Sequence, residues 1–461
     1  MTDIKYISTR GQAPKLSFSD VLLTGLATDG GLYVPERLPK INIEDFRDKT
    51  YQETAYTVMS QFVGEAIEPE VLKNIITESY ATFDHKDVAP LVELDENLWV
   101  LEQFHGPTLA FKDFALQFLG RAFDAVLEKL DRHITIVGAT SGDTGSAAIE
   151  GCRGRDNMDI FILHPHGRVS DVQRRQMTTI TDNNVHNIAI KGSFDDCQDL
   201  VKGLFNDPNF RKRIGISAVN SINWARILAQ IVYYVYACSR FNSPVSFSVP
   251  TGNFGNIYAG YLARQMGAPI EGLIVATNRN DILYRFFENG QMRISGVEPS
   301  LSPSMDIQIS SNFERFLFDL LDRDADQTRK VMEAFRKNGE YQVSADVLNK
   351  LKQTFSAERC DDDATQDTIR REYDRAGYLL DPHSATGVFA ARMWQDEKGI
   401  GRPVVCMATA HPAKFPDAVK AASGVDPKLP SRLSDLFDRE EDFDVLSNDI
   451  EALKDYILGR I

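Results

Sequence analysis

Lys112 is the residue whose position in this sequence most favours chemistry. It lies between a strand-like segment, residues 98–104, and a helical pattern with apolar residues at every fourth position from Phe114 to Val126. This strand-to-helix turn is where open α/β sheets bind ligands. The positive end of the helix dipole disfavours the protonated amine, and an amine with a lowered pKa can form a Schiff base with an aldehyde. From local context alone, a surface lysine that merely starts a helix is the more common interpretation of such a position.

A second loop, from Pro250 to Asn256, has features of a phosphate-binding site. It follows the apolar segment 245–249, precedes another helical pattern and contains Gly252 and Gly255. Several backbone N–H groups can therefore converge on one point, and such groups at a helix start bind phosphate. The loop matches neither the Walker A pattern nor G-x-G-x-x-G, which disfavours a nucleotide. An ordinary glycine turn is the alternative.

The segment from Gly138 to Gly145 occupies the same position after the strand-like residues 134–137. Hydroxyls of Thr140, Ser141 and Thr144, together with backbone amides, could bind a substrate carboxylate. Ser141 lacks the glycine two residues earlier that the G-x-S-x-G elbow of hydrolases requires. A plain tight turn again stays open as the alternative.

Composition and charge restrict the class of protein. The chain has 461 residues, 25% charged and 43% hydrophobic, which is typical of a globular protein of about three domains at roughly 150 residues each. Its formal net charge is -15, and an acidic protein repels nucleic acid and anionic membranes. We therefore predict no nucleic-acid role, and an anionic substrate must be bound by a local cluster of donors.

The sequence contains no signal for export, membrane insertion or metal binding. Its start lacks an apolar signal core, and no apolar run approaches the roughly 20 residues of a membrane helix. We therefore predict a cytoplasmic protein with no membrane partner. No C-x-x-C or H-E-x-x-H pattern is present, so we predict no metal site. The scattered cysteines fit buried thiols in a reducing compartment; they are Cys152, Cys197, Cys238, Cys360 and Cys406.

Three regions follow from the residue patterns. Residues 1–89 are mostly helical in pattern and form a small leading domain. Residues 90–430 repeat strand, loop and helix, which predicts a mainly parallel sheet covered on both faces by right-handed crossover helices. A charged, helix-favouring insertion at about 305–374 interrupts this repeat, and residues 431–461 form an acidic tail with a helical rhythm.

Several motifs together resemble those of one known family, although no single motif is specific for it. They are His105–Asp113, Ser141–Gly145, Thr251–Asn256 and Thr409–Phe415, with Tyr6–Gly11 and Asp29–Pro35 near the start. In type and order they resemble threonine synthase of the longer bacterial and fungal type, along almost the whole chain. The resemblance implies a pyridoxal-phosphate enzyme of the tryptophan-synthase-like fold type II. Its expected fold class is α/β, with mainly parallel sheets covered by helices and a small, mostly helical N-terminal domain.

The resemblance also implies roles for individual residues. Lys112 would form the Schiff base with pyridoxal 5′-phosphate, and Thr409 would hydrogen-bond the pyridine nitrogen of that cofactor. The phosphate cup would consist of Gly252, Asn253, Phe254, Gly255 and Asn256. The substrate carboxylate would be bound by Thr140, Ser141, Gly142, Asp143 and Thr144. The partner of the ring hydroxyl stays open, because an anion such as Asp143 would repel a phenolate.

The implied reaction is the last step of threonine biosynthesis, in which O-phospho-L-homoserine and water give L-threonine and phosphate by γ-elimination and β-addition of water. The cofactor would act as electron sink, and Lys112 would shuttle the protons that leave Cα and Cβ. The phosphate of this small-molecule substrate needs donors, which we expect from Asn220, Ser221, Asn223 and Arg226, with Lys414 as second choice. An ordinary helix-surface role for Arg226 is equally compatible with the sequence.

Two other functions stay open at this point. A serine or threonine dehydratase-like enzyme of the same cofactor fold would carry out β-elimination, but the leading domain with Asp29–Pro35 argues against it. A non-catalytic relative that binds phospho-ligands or partner proteins is disfavoured because Lys112 and both loops are intact. The sequence makes no prediction of oligomeric state.

Overall fold

The leading part of the chain combines a small β-hairpin with three helices. The computed structural model describes residues 3–217, 219–399 and 401–461. Strands β1 (Tyr6–Ser8) and β2 (Tyr33–Pro35) pair antiparallel, and the helices are α1 (Phe18–Thr24), α2 (Tyr51–Val63) and α3 (Pro69–Tyr80). A capping box starts α2, because Thr50 and Glu53 satisfy each other's backbone N–H groups.

The rest of the described chain alternates strands and helices. The strands are β3 (Leu91–Asp95), β4 (Leu98–Glu102), β5 (Ile134–Ala139), β6 (Met158–Pro165), β7 (Val185–Lys191), β8 (Ile216–Ser217), β9 (Val245–Pro250), β10 (Ile270–Thr277), β11 (Gln291–Arg293), β12 (Glu340–Gln342), β13 (Phe355–Arg359), β14 (Val404–Ala408) and β15 (Asp444–Ser447). The helices are α4 (Lys112–Leu130), α5 (Asp143–Cys152), α6 (Asp171–Thr178), α7 (Phe194–Asn206), α8 (Pro208–Ile214), α9 (Trp224–Cys238), α10 (Gly255–Met266), α11 (Ile282–Asn289), α12 (Phe313–Leu320), α13 (Ala325–Asn338), α14 (Ala345–Lys352), α15 (Asp362–Ala376), α16 (Pro382–Lys398), α17 (Pro416–Ser423) and α18 (Ile450–Leu458). Short 3₁₀ helices cover Ile43–Phe46, Gly64–Ala66, Pro303–Met305, Pro412–Lys414 and Ser431–Leu433.

Two large sheets organise most of these elements, while β11 and β12 form a separate antiparallel pair. The larger sheet has the strand order β13-β10-β9-β14-β4-β3, and its strands pair parallel except for the antiparallel pair β3–β4. The smaller sheet, β15-β7-β6-β5-β8, pairs parallel throughout. Every residue of β9 and of β14 is buried, as expected for strands covered on both faces. The predicted α/β class with mainly parallel, helix-covered sheets is confirmed.

Helix α9 is the central helix of the structure. All of its residues are buried, and it packs against α2, α4 and α10. A helix that is apolar on every side requires such surroundings. A charged residue in the first turn of α9 is therefore buried away from water. Arg226 is such a residue. Among the described residues, none of the helices has both the length and the apolar character needed to cross a bilayer.

Two regions differ from the sequence prediction. The insertion at about 305–374, predicted as helical, also contributes β13, which pairs with β10 at the edge of the larger sheet. The tail 431–461, also predicted as helical, contributes β15 at the edge of the smaller sheet. Both strands are short, and charged or polar residues interrupt them. Such edge strands carry little hydrophobic periodicity, so the sequence pattern did not reveal them.

Candidate active site

Lys112 is the first residue of α4, as predicted, and its loop lies against the loop that follows β14. Ala110 forms an isolated β-bridge with Ala410, and the Phe111 N–H donates to the carbonyl of Thr409 at 2.8 Å. Strands β4 and β14 are parallel neighbours, so the loops after them meet at the same edge of the sheet. This pairing holds Lys112 and Thr409 on one side of the larger sheet.

A cavity opens at this edge. It is open to solvent, and the empty space within it, counted together with open solvent, is about 770 Å³. Lys112, Thr409 and the loop 250–256 all lie in its wall. Asp143, Thr144, Ser221 and Arg226 complete the part of the wall that the sequence predicted. Five segments that are far apart in the chain thus converge on one space.

Lys112 is buried next to a carboxylate. Its side chain is 11% exposed, and Nζ lies 3.1 Å from Oδ2 of Asp143. Burial lowers the pKa of Lys112 below its ordinary value, although Asp143 opposes the change; the cations of Lys414 and Arg226 add to the lowering. The direction agrees with the sequence prediction. The main cause is burial, whereas the prediction relied on the helix dipole.

Asp143 is bound from both sides by lysines. Its Oδ1 lies 3.0 Å from Nζ of Lys414 and accepts a hydrogen bond of 2.8 Å from Gln173. Burial favours the neutral acid, but the two lysine charges hold the pKa of Asp143 well below its ordinary value. Asp143 is therefore ionised and would repel a substrate carboxylate. This charge does not favour the predicted carboxylate-binding role of Asp143, which stays a prediction.

Lys414 is completely buried and has three acceptors. Its Nζ donates to the carbonyl of Thr108 at 2.6 Å and to Oε1 of Gln176 at 3.0 Å, in addition to Asp143. All three ammonium protons are thereby used. Lys414 does not line the cavity, so the structure does not support its predicted contact with a substrate phosphate.

The loop 250–256 presents backbone donors, at residues 252–256, that no acceptor of the described residues uses. Strand β9 ends at Pro250, Phe254 has a left-handed φ of 63°, and α10 begins at Gly255. Among the described residues, none accepts a hydrogen bond from the backbone N–H groups of residues 252–256. Their carbonyls are occupied instead: Gly252 accepts from the Ser310 hydroxyl at 2.7 Å, and Asn253 accepts from a backbone N–H at 3.0 Å. Free amides at a helix start fit a bound phosphate.

Two further features of this loop fit a ligand. A Cβ added at Gly252 would lie 2.8 Å from the backbone oxygen of Ser304, so only glycine permits this approach of the two backbones. Asn256 accepts hydrogen bonds from the hydroxyls of Tyr233 and Tyr234, at 2.7 and 2.9 Å. Its buried Nδ2 lacks an acceptor among the described residues. An unsatisfied buried donor in a cavity wall indicates an absent partner.

Arg226 provides a second position for an anion. It lies in the first turn of α9, is 4% exposed and lines the cavity. One guanidinium nitrogen donates to the carbonyl of Val219 at 3.1 Å, while Nε is buried without an acceptor, and no carboxylate of the described residues pairs with it. Burial lowers the pKa of Arg226 to about 10, so it is still charged at neutral pH. A buried, unpaired guanidinium in a cavity wall favours an anionic ligand.

Thr409 has its side chain free for a ligand. Its backbone N–H donates to the Ser384 hydroxyl at 3.0 Å, and its carbonyl accepts from Phe111. Within the part of the chain that the structure describes, its own hydroxyl has no hydrogen-bond partner. The hydroxyl of Thr409 is thus held in the wall by backbone contacts and can bind a ring nitrogen.

Several predicted substrate residues lie off the cavity wall. The hydroxyl of Thr140 accepts the backbone N–H groups of Gly142 and Gly145 and holds the turn together. Asn223 caps α9 and donates to the carbonyl of Leu22 at 2.7 Å. Off the wall are Thr140, Ser141, Gly142, Asn220, Asn223 and Lys414. Ser141 and Asn220 are exposed, and Gly142 packs against Gln173. Of the predicted substrate residues, Asp143, Thr144, Ser221 and Arg226 line the cavity, and their substrate roles stay predictions.

Other residues that line the cavity were not predicted from the sequence. His383, at the start of α16, accepts the backbone N–H of Ser304 on its Nε2 at 3.1 Å and contacts Asp381 through Nδ1 at 3.0 Å. Asp381 and a following proline are a helix-start signal that could have identified this position. Ser304 gave no such signal, because only tertiary contacts bring it to the site. The wall residues missed are Phe111, Gln230, Ser304, Met305, His383 and Ala410.

Comparisons with known proteins agree along the whole chain. Family models described as threonine synthase N terminus, pyridoxal-phosphate dependent enzyme, and threonine synthase C-terminal match residues 5–80, 84–410 and 384–457. A threonine synthase from Pseudomonas aeruginosa is 54% identical, over 98% of each chain.

Solved structures give the same result. A threonine synthase from Brucella melitensis with bound PLP has a TM-score of 0.97 at 53% identity and covers 99% of each chain. A yeast threonine synthase has a TM-score of 0.95 at 40% identity and covers 99% of this chain and 98% of its own. The chain belongs to the threonine synthase family of pyridoxal-phosphate dependent enzymes.

Proposed function

We propose that the cavity around Lys112 is the active site in which this chain converts O-phospho-L-homoserine and water to L-threonine and phosphate. One observation carries the proposal: a single cavity contains a buried lysine and two separate anion positions, the free amides of residues 252–256 and the unpaired Arg226. The cofactor pyridoxal 5′-phosphate and the phosphorylated substrate each bring one phosphate. The number of anion positions therefore equals the number of phosphates.

The cofactor residues follow from the donors in the wall. The amides of residues 252–256 bind the cofactor phosphate at the start of α10, and the orphan Nδ2 of Asn256 supplies a further donor. The hydroxyl of Thr409 would donate a hydrogen bond to the pyridine nitrogen. A hydroxyl at that place, instead of a carboxylate, leaves the nitrogen largely unprotonated. When bound, pyridoxal phosphate supplies an electron sink for proton removal from the substrate.

Lys112 is the group that moves protons. It removes the proton from Cα of the substrate, and a Cβ proton must then leave before the bond from Cγ to the phosphate oxygen breaks. Burial lowers the pKa of Lys112 below its ordinary value, which favours the neutral amine that can accept these protons. Asp143, 3.1 Å from Nζ, keeps the amine directed into the cavity. Lys112 passes the Cβ proton to Cγ, which becomes the methyl group of threonine. The hydroxyl of a water molecule then adds at Cβ, the proton of that water goes to the released phosphate, and Lys112 returns the Cα proton.

Three wall residues bind the substrate. Thr144, in the first turn of α5, offers its hydroxyl to the substrate carboxylate. Arg226 binds the substrate phosphate, and the Ser221 hydroxyl lies beside it in the same wall. In an acidic protein these local donors replace a favourable overall field.

A dehydratase-like activity is the alternative. Serine and threonine carry no phosphate, so a dehydratase would leave Arg226 without a ligand in its buried position. The test is to supply the purified holoenzyme with phosphohomoserine, serine and threonine in separate reactions and to measure phosphate, threonine and 2-oxo acids. We expect phosphate and threonine in equal amounts from phosphohomoserine. Pyruvate or 2-oxobutyrate as the main product would overturn the proposal.

We also propose a cytoplasmic location. Cys152, Cys197, Cys238, Cys360 and Cys406 are all buried and unpaired, which is usual in a reducing compartment. Fractionation of cells followed by detection of the protein would test this, and enrichment in a membrane or exported fraction would contradict it.

A further inference from the structure

We propose that Arg315 is a positioning residue for the two anion-binding walls of the cavity, residues 221–226 and 252–256. It holds these walls at a fixed distance from each other and from the leading segment of the chain, the part that contains β1 and β2. The proposal rests on the function proposed above, because it concerns the same cavity. Arg315 lies in α12, does not line the cavity, and is completely buried. No motif in the sequence draws attention to it.

The guanidinium of Arg315 bonds to two segments that are distant in sequence and to the start of its own helix. Nε donates to the carbonyl of Tyr33 at 2.9 Å, and Nη2 donates to the carbonyl of Ile222 at 2.5 Å. Nη1 donates to Oδ1 of Asn312. Tyr33 belongs to β2 of the leading segment, and Ile222 belongs to the wall that leads into Arg226. A single planar fork thus joins two backbone carbonyls from distant segments to the side chain of Asn312, a geometry that the ammonium of lysine does not reproduce.

The charge of Arg315 is unpaired. Within the described residues, no carboxylate forms an ion pair with it, and burial lowers the pKa of Arg315 to about 10. Burial of such a charge is costly, and an apolar residue of similar size would fill the space with less cost. Its presence is therefore explained by the geometry that its hydrogen bonds impose.

Asn312 extends the contact to the second wall. Its backbone N–H donates to the carbonyl of Asn253 at 3.0 Å, and its Nδ2 donates to the carbonyl of Ser221 at 3.1 Å. Because Arg315 binds Oδ1, the side-chain amide can present only Nδ2 to Ser221. The carbonyl of Asn253 is held toward Asn312, which leaves the neighbouring amides free for the cofactor phosphate. Arg315 and Asn312 together therefore set the spacing between the two phosphate positions.

The leading segment is tied to the same helix by a second contact. Glu314, next to Arg315, accepts two hydrogen bonds from Arg10, at 2.9 and 2.8 Å, and a third from the hydroxyl of Thr9 at 2.7 Å. Both Arg10 and Glu314 are buried. Adjacent residues of α12 thus bind the leading segment through a side-chain pair and through the carbonyl of Tyr33. The leading segment is in this way part of the framework of the active site.

The test compares ligands that differ by one phosphate. In Arg315→Lys the charge is kept, but an ammonium on a flexible chain cannot reproduce the planar fork. We expect the variant apoenzyme to bind pyridoxal 5′-phosphate at least tenfold more weakly, while its affinity for pyridoxal, which lacks the phosphate, changes less than twofold. We also expect a KM for phosphohomoserine at least tenfold higher, with a smaller change in kcat. Binding is followed by absorbance and fluorescence.

A second variant distinguishes an effect on one wall from an effect on both walls. It also controls for misfolding. Asn312→Asp gives Arg315 a carboxylate partner, which supports folding, but replaces the donor that faces the Ser221 carbonyl with an acceptor. We expect a raised KM for phosphohomoserine with unchanged affinity for pyridoxal 5′-phosphate. The matched control is Arg392→Lys, which removes a bidentate contact to Glu372 on residues that do not line the cavity.

The outcomes distinguish the two proposals. If Arg315→Lys weakens pyridoxal and pyridoxal 5′-phosphate equally, or if Arg392→Lys gives the same phosphate-dependent loss, Arg315 has only a structural role and the proposal is wrong. If the unaltered protein makes no threonine from phosphohomoserine, the proposed function fails instead. The ratio of the two cofactor affinities still tests Arg315 in that case.

Discussion

Arg226→Met is expected to stabilise the ligand-free protein and to remove most of its activity. The side chain is 4% exposed, donates to Val219, has a buried Nε without an acceptor and has no carboxylate partner among the described residues. A buried unsatisfied donor costs about 1–3 kcal/mol, and replacing buried charge by apolar side chains of similar volume often stabilises by about 1–4 kcal/mol. Methionine has similar length and fills irregular space. We expect a gain of about 1–3 kcal/mol.

This gain converts to a measurable shift in the unfolding temperature. With an unfolding entropy of about 2.1 cal/mol/K per residue and 461 residues, the entropy of one cooperative transition is about 1 kcal/mol/K. The midpoint of the apoprotein should therefore rise by about 1–3 °C. The activity should change in the opposite direction, because a bidentate contact between guanidinium and phosphate is worth about 3–4 kcal/mol. That loss lowers kcat/KM for phosphohomoserine by about 10²–10³-fold.

The assay is differential scanning calorimetry of the apoproteins, with and without inorganic phosphate, together with steady-state kinetics. Arg392→Met is the matched control, because Arg392 pairs with Glu372, which is 0% exposed, and its removal leaves that carboxylate unpaired. We expect this control to lower the midpoint and to leave KM unchanged. If Arg226→Met is destabilised as much as Arg392→Met, or if it keeps the original KM, Arg226 is not a vacant anion-binding residue and the reasoning is refuted.

Three further changes test the other parts of the site. Lys112→Ala should lose the absorbance of lysine-bound cofactor and orders of magnitude in turnover, as removal of a covalent catalyst does; full activity would contradict the role of Lys112. Gly252→Ala places a Cβ 2.8 Å from a backbone oxygen, an overpacking of about 1–3 kcal/mol that should weaken cofactor binding about 5–150-fold. The Cβ of Gly255→Ala would meet only side-chain atoms, the nearest at 3.3 Å, so this variant should weaken cofactor binding less. Equal cofactor affinities of the two variants would show that the backbone at Gly252 has room for a Cβ. The pKa of Asp143 is lowered by two lysines despite burial, so its stabilising contribution is present above about pH 4 and is lost as the pH falls toward the lowered value. Asp143→Asn should therefore lose less stability between pH 5 and pH 3 in denaturant titrations, and parallel pH profiles would contradict this assignment.

The parts of the site that could be predicted from the sequence are those fixed by local structure. Lys112, the loop 250–256 and Thr409 each follow an apolar strand, and the ends of parallel strands meet at one edge of a sheet. Hydrophobic runs and glycine positions predict these strand ends from only a few neighbouring residues. The α/β fold class was predictable for the same reason.

The parts that could not be predicted depend on competition between local and tertiary contacts. Thr140 and Asn223 have polar side chains of the right type, but the turn and the start of α9 use them as caps. The position of Asn223 directly before a long apolar run was a cap signal that could have been recognised. Ser304, His383 and Arg315 act through contacts between distant segments, and no local pattern encodes those contacts.

The central claim is that Lys112 holds the cofactor. Its most direct test is reduction of the holoenzyme with borohydride, followed by proteolysis and mass spectrometry of the peptides. The account predicts one phosphopyridoxyl group per chain, on Lys112. A label on Lys414, the other lysine that contacts Asp143, or on any lysine elsewhere, with Lys112 unmodified, would contradict it.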